Sequence, residues 1–270
     1  MMPVLFTVGS TPIYSFGVAM SVAFLVAAVV MQRDFARKHE PPGLAWSIVG
    51  FGVVGGLLGA RFHQALYHWP AFVADPLGFM TGPSGLVWYG GLFGGVLATA
   101  WPIRRAQVAY ASALDTGALG LAIGLAIGRI GCHLSGDGDW GTPTTLPWGV
   151  AYAHGTVPWP HAAGVVVHPT ALYEMVALVA TFALLLYLRA RVAPAGALFA
   201  IYVLLASSTR FAVEFVRTNP ALLLGLTEAQ WTSLALASGA AVWLWRHLLV
   251  FEANLEGAAT RRRGQGGGAR

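Results

Sequence analysis

The sequence predicts an all-α integral membrane protein of about seven transmembrane helices, with its N-terminus outside, its C-terminus in the cytoplasm and one irregular external loop between the fourth and fifth helices. Three observations predict it. Of 270 residues, 56% are hydrophobic and only 10% are charged, far below the quarter or so usual in soluble domains. Apolar stretches long enough to cross a bilayer recur along the chain. Lys and Arg concentrate in alternate connections between those stretches, the pattern that sets orientation in a membrane. The 34 glycines and 10 tryptophans suit the same class, because small residues let helix backbones approach and aromatic rings sit at the head-group level.

The stretches fall at residues 14–32, 44–66, 86–103, 112–133, 170–188, 196–216 and 231–250. The opening MMPVLFTVGS lacks the basic start of a cleavable signal peptide, so the first run is expected to remain as a helix. The third is short and carries GGLFGG (Gly90 to Gly95). It is expected to pack tightly against a neighbour or to depart from regular helix.

Arg33, Arg37 and Lys38 occupy the first connection, Arg104 and Arg105 the third, and Arg189 and Arg191 the fifth, while Arg246 lies near the end of the last stretch and Arg261, Arg262, Arg263 and Arg270 lie in the tail beyond it. The second and fourth connections have no Lys or Arg and the sixth has only Arg217. That alternation demands an odd number of spans. The long connection 133–169, rich in Gly, Pro, Trp and His, reads as an external or interfacial segment with little regular structure, or as a mobile lid that admits an acceptor peptide. Trp140, Trp148 and Trp159 read as interface anchors. Residues 1–250 are expected to form a single polytopic domain. Residues 251–270 are expected to form a cytoplasmic basic, Gly-rich tail that ends disordered in GQGGGAR.

The formal charge of +5 does not indicate nucleic acid as a partner, because the basic residues sit in short connections and the tail rather than along one face with interleaved aromatics. The one cysteine, Cys132, excludes a disulfide framework and a multi-cysteine metal site. No GxSxG or HExxH string is present. No internal repeat supports a transporter of inverted halves. Neither a metal nor a cofactor is expected.

Four arginines lie outside the orientation pattern: Arg61, Arg129, Arg210 and Arg217, all placed by it in the outer half of the membrane or just beyond. Arginine within a span costs several kcal/mol unless it faces a cavity or a partner. RFAVEFVR sets Arg210, Glu214 and Arg217 on one helix face, and Glu174 follows about one turn into the fifth stretch. Asp115 lies fourteen residues before Arg129, about 21 Å along a helix, too far to touch. Glu174, Glu214, Arg217 and Asp115 read as structural ion-pair partners. Arg129 and Arg210, with too few acids beside them, suggest an anionic ligand, for which a phosphate ester is the natural fit because guanidinium binds phosphate bidentately.

GRIGCHLSGDGDWG (Gly128 to Gly141) resembles the GRxGNFxNGExxG segment of prolipoprotein diacylglyceryl transferases. HPTALYE (His168 to Glu174) is similar to that family's HPxxLYE, RFAVEFVR (Arg210 to Arg217) to its RxxxEFxR, and WYGGLFGG (Trp88 to Gly95) to its FHGGLxGG. Order, spacing and a seven-helix topology agree. The resemblance implies transfer of the diacylglyceryl group of phosphatidylglycerol to the lipobox cysteine of a prolipoprotein signal peptide, with release of glycerol 1-phosphate, in the bacterial inner membrane on the side of the outer leaflet. It also implies that Arg129 and Arg210 match the family's essential arginines. The departures are Tyr89 for the histidine of FHGG, Cys132 and Ser135 for the two asparagines, Asp137 for the glutamate with one extra residue before Trp140, and Phe16 for a tyrosine of the first helix.

For such a reaction the protein must hold the phosphate and help remove a thiol proton. Arg129 and Arg210 are expected to clamp the phosphate, with Arg61 a third candidate and Asp137 and Gly141 at the substrate. Tyr89 is a poor base unless nearby arginines lower its pKa of about 10. His133 and His168 match the task better. Cys132 reads as a small buried side chain, since the reacting thiol belongs to the acceptor. Two other readings stay open: a diverged phospholipid-dependent transferase with another acceptor, and a non-catalytic phospholipid-binding membrane protein.

Overall fold

Runs of Ala, Leu, Val and Gly that must satisfy every backbone N–H and C=O without water have helix as their main option, and helix dominates the chain. In the computed structural model, residues 1–82, 87–192 and 194–266 are described, without the side chains of Thr81, Trp88 and 248–266. Leu86, the expected start of the third stretch, and the last four residues of GQGGGAR lie outside the described residues.

The order of elements is β1 (Val4–Val8), β2 (Thr11–Tyr14), α1 (Ser15–Arg37), α2 (Leu44–Tyr67), α3 (Trp69–Ala74), α4 (Pro76–Thr81), α5 (Trp88–Arg105), α6 (Tyr110–Ser135), α7 (Thr170–Leu188), α8 (Ala197–Glu214), β3 (Ala221–Leu223), β4 (Leu226–Thr227) and α9 (Glu228–Gly266). Five helices, α1, α2, α6, α7 and α8, are long and apolar enough to cross a membrane. The other two expected stretches are helical as α5 and α9. However, α5 has 18 residues and ends with Pro102, Arg104 and Arg105, and α9 carries Glu228, Arg246 and His247.

Three expectations need correction. The chain is mostly but not wholly α: β1 pairs antiparallel with β2 and β3 with β4. Both hairpins turn where positive φ is available, at Gly9 (62°) and at Leu224 and Gly225 (55° and 74°). Two short helices follow α2, each with Pro in its first turn, and the Asp75 side chain accepts from Gly78 N at 2.9 Å to cap α4. Finally, α9 stays helical to Gly266, past the point where GQGGGAR predicts disorder.

The chain groups into two compact units, Phe24–Thr116 and Met1–Ala23 with Gly117–Arg270. In the first, α2 and α5 meet backbone to backbone. A Cβ added to Gly59 would lie 2.9 Å from Gly94 Cα, and one on Gly94 would lie 2.8 Å from Gly59 Cα. GGLFGG therefore packs tightly as regular helix, the first of the two expected outcomes. Met31, Phe35, Leu44, Ala45, Ile103 and Ala113 form this unit's buried cluster. Beside it, the fully buried Asp34 binds Arg37 (2.9 Å), Lys38 (3.5 Å) and Thr116 (2.9 Å). Lys38, one of the basic residues of the first connection, also donates to Ser112 O at 3.0 Å.

In the second unit, the first turn of α1 packs on α6, where a Cβ on Gly131 would come within 2.8 Å of Ala19 Cβ. Helix α7 packs on α8 and α8 on α9. The starts of α1 and α7 and the ends of α6 and α8 gather at one end. Met2 N donates to Leu134 O (3.0 Å), Thr156 N to Ser135 O (2.8 Å), Gly141 N to His168 O (2.9 Å) and Thr142 N to Val216 O (2.8 Å). The segment between α6 and α7 is irregular as expected, yet packed. Single bridges join Gly141 to Arg217 and Val167 to both Pro143 and Val150. Trp140, Tyr152 and Val167 are buried together with Trp159 against them. Trp140 is thus a core residue rather than an interface anchor, whereas Trp148 is exposed.

Candidate active site

Three helices and one loop of the second unit bring three arginines and three carboxylates together. Arg129, in the last two turns of α6, reaches Glu174 Oε2 at 2.5 Å. Arg210, one turn before the end of α8, reaches Glu174 Oε1 at 2.8 Å and Glu214 Oε2 at 2.8 Å. Arg217, just past α8, reaches Asp139 at 2.5 Å, with Glu214 at 3.6 Å and Glu174 at 4.0 Å. Arg129 also pairs with Asp139. One carboxylate, Glu174, therefore stands between two guanidiniums that come from different helices. Three positive and three negative groups cancel. The expectation of too few acids is corrected: besides Glu214, four residues after Arg210 on the same helix, α7 delivers Glu174 and the loop after α6 delivers Asp139.

Asp139 is the residue that sequence reasoning underrated. The motif's acid was matched to Asp137, but Gly136 and Gly138 adopt positive φ (60° and 97°) on either side of it, a conformation glycine accepts freely. The chain doubles back and aims Asp139 at Arg129 and Arg217. Asp139 N donates to Asp137 Oδ1 at 3.2 Å, closing the turn. Burial pushes the Asp139 carboxyl up, but Arg217 and then Arg129 outweigh it and hold the group below the ordinary carboxylate range. The alternating G-D-G-D string of Gly136 to Asp139 was the available signal.

Arg129 and Arg210 border a cavity of about 140 Å³ lined also by Leu125, Glu174, Leu178, Ala206 and Thr209. The lining combines guanidinium and carboxylate groups with aliphatic side chains, as a charged group with attached hydrocarbon requires. Arg217 is almost fully buried, and its Nε and Nη1 have no hydrogen-bond partner among the described residues.

His133 and His168 both belong to this unit. His133 Nδ1 lies 2.9 Å from the Tyr152 hydroxyl. Burial and then the Asp137 carboxylate push that phenol above its usual range, so it stays protonated and its oxygen can accept from Nδ1–H. His168 Nδ1 lies 3.1 Å from the Tyr173 hydroxyl, which accepts from Trp148 Nε1 at 2.8 Å. Gly141 has a packing reason: a Cβ there would come within 2.8 Å of His168 Cβ and 3.0 Å of Thr170 Cγ2.

Arg61, Tyr89 and Asp115 belong to the other unit. Arg61 donates to Gly82 O at 2.7 Å, Tyr89 is exposed in the first turn of α5, and Asp115 is buried in α6. Cys132 Sγ, Asp137 and Asp139 offer ligand atoms within 4.8 Å of one another. Two guanidiniums already neutralise Asp139, which disfavours a cation among them.

The sequence profile described as prolipoprotein diacylglyceryl transferase matches residues 3–246. The chain belongs to this family. The phosphatidylglycerol–prolipoprotein diacylglyceryl transferase of Nitratidesulfovibrio vulgaris is 33% identical over 239 residues, covering 83% of this chain and 86% of its own. That of Gloeobacter violaceus is 29% identical over 247 residues, covering 90% and 91%. That of Frankia alni is 34% identical over 247 residues, covering 87% of this chain and 63% of its own. Three of the five departures from the motif pattern of this prolipoprotein diacylglyceryl transferase family fall together. Phe16, Ser135 and Asp137 line one cavity of about 430 Å³ together with Pro3, Tyr14, Gly17 and Thr156.

Proposed function

We propose that this protein transfers the diacylglyceryl group of phosphatidylglycerol to the lipobox cysteine of prolipoproteins at the outer leaflet of the bacterial inner membrane. The acceptor thiolate attacks the glycerol carbon that bears the phosphate. A C–S bond forms, the C–O bond breaks, and its electron pair leaves on the phosphate oxygen of glycerol 1-phosphate. Arg129 and Arg210 bind the phosphate and stabilise the charge that grows on it, a task at which preorganised donors in a dry site are most effective. His133 or His168 takes the thiol proton at Nε2, in the tautomer whose Nδ1 carries the ring proton and donates it to the neighbouring tyrosine hydroxyl. Arg61, Tyr89, Asp137 and Gly141 complete the assignment toward substrate. Residues 1–250 act as one polytopic domain of seven spans, N-terminus outside, with 251–270 as a cytoplasmic tail.

The observation that carries this reading is the convergence of Arg129 and Arg210 on Glu174 beside a cavity with aliphatic walls, in a chain of this family. Glu174 holds the two guanidiniums at a spacing that one anionic oxygen pair already bridges, so a phosphate can take up the same donors. A related transferase with a different acceptor is the second reading, favoured by the grouping of Phe16, Ser135 and Asp137 around one cavity.

The test supplies purified protein with phosphatidylglycerol and a lipobox peptide and looks for thioether product and released glycerol phosphate. Neither product, under conditions where a family member yields both, defeats the leading reading. Release of glycerol phosphate without thioether favours the second. In folded Arg129→Ala and Arg210→Ala variants, turnover should drop on the order of a hundredfold or more.

A further inference from the structure

The hairpin between α8 and α9 combines two anomalies in one residue. Leu224 is 81% exposed, the most exposed large hydrophobic among the described residues, and its φ is +55°. Leu223 pairs with Leu226, so Leu224 and Gly225 are the two central turn residues, both at positive φ. Asn, Asp or Gly normally fill the first of these positions, because a branched carbon side chain is strained there. A strained leucine at a turn tip has no folding reason to persist, so the side chain itself is what the tip requires. Leu222 and Leu223 beside it are 67% and 64% exposed, and Phe215 at the end of α8 is 65% exposed. Trp231, in the first turn of α9, donates its indole N–H to Leu223 O at 3.1 Å, and tryptophan is the residue that marks the membrane interface.

We propose that the β3–β4 hairpin is a lipid-contacting finger: its leucine tip enters the bilayer beside α8, and its base ties that position to the arginine cluster. The occupant follows from continuity. The hairpin starts seven residues after the end of α8, a helix apolar enough to cross a membrane, and Phe215, the first residue past that helix, is exposed as Leu222–Leu224 are. The tie is explicit. Glu214 Oε1 accepts from Thr227 Oγ1 at 3.0 Å and from Asn219 Nδ2 at 2.6 Å, while Glu214 Oε2 stands 2.8 Å from Arg210. Seating the finger in lipid thus fixes the carboxylate that positions Arg210. This second half rests on the proposed role of Arg210; the first half does not.

Leu224→Asn tests the finger, because Asn favours the left-handed turn conformation and the fold is kept while the apolar tip is lost. A fluorophore at Leu224→Cys in a Cys132→Ser background, in phosphatidylglycerol-containing vesicles, should emit as in hydrocarbon. Lipids spin-labelled high on the acyl chain should quench it, and aqueous iodide should not. Iodide quenching overturns the proposal, and so does shielding from both quenchers, which signals protein contact instead. With transferase activity in hand, Leu224→Asn should raise the apparent KM for vesicle phosphatidylglycerol several-fold and leave turnover of micellar short-chain phosphatidylglycerol unchanged. Equal rates on both overturn the coupling. Absence of any wild-type turnover sinks the transferase reading alone, since the fluorescence result stands by itself.

Discussion

At the residue scale the ion-pair cluster makes distinct demands on its members. Glu174 serves two arginines, so Glu174→Gln should loosen both. Burying an unpaired guanidinium is costly, and the variant should melt several degrees lower in detergent as well as lose turnover. Asp139 gives a pH prediction. Its folded pKa is depressed below its unfolded value of about 3.9, so its contribution to stability is complete above that value and is lost as pH falls through the folded pKa. Thermal unfolding followed from pH 7 downward should show no Asp139-dependent change until below about pH 4, and Asp139→Asn should lower stability at pH 7 and flatten that acid limb. For the proton-transfer proposal, the double variant His133→Ala, His168→Ala should slow turnover by about a hundredfold or more in a single-turnover assay; full activity would remove both histidines from the reaction.

At the element scale the α2–α5 contact is the strictest steric feature. Leucine at Gly94 has no room against Gly59, and overpacking of this kind costs about 1–3 kcal/mol or more, so Gly94→Leu should fail to accumulate or should melt well below wild type. GGLFGG made tight packing one of two expected outcomes in the sequence, but nothing local named the 44–66 helix as the partner. The helices were legible because apolar length and period are local properties. The hairpins were not, since VLFTV and ALLLGL are too short for periodicity to separate strand from helix. Nor was the neutral cluster. Arg129 and Arg210 stood out as charges in apolar sequence, but Glu174 and Asp139 meet them only after α6, α7 and α8 have packed and Gly136 and Gly138 have turned the loop. The motif register drew attention to Asp137, while the turn also brings Asp139 to the arginines.

At the scale of the whole molecule, five helices have the length and apolarity to span a membrane, and the proposed orientation adds α5 and α9 as further crossings. Reporter fusions ending near Arg105 and Arg191 should be active in the cytoplasm, and fusions within 140–165 active outside. The opposite pattern would invert the topology. The tail assignment predicts that removing residues 251–270 leaves both membrane insertion and catalysis intact, as measured by yield and by turnover of the truncated protein.

Charge cancellation among Arg129, Arg210, Arg217, Asp139, Glu174 and Glu214 carries a consequence for selectivity. A resting site already neutral has little pull on a small free anion: under the proposed function, inorganic phosphate would have to displace carboxylates without any apolar part to set against Leu125, Leu178 and Ala206, which line the same cavity. The enzyme should therefore work unhindered in a compartment containing free phosphate, and glycerol 1-phosphate, once cut from its hydrocarbon, should be a weak competitor that the carboxylates themselves help to expel.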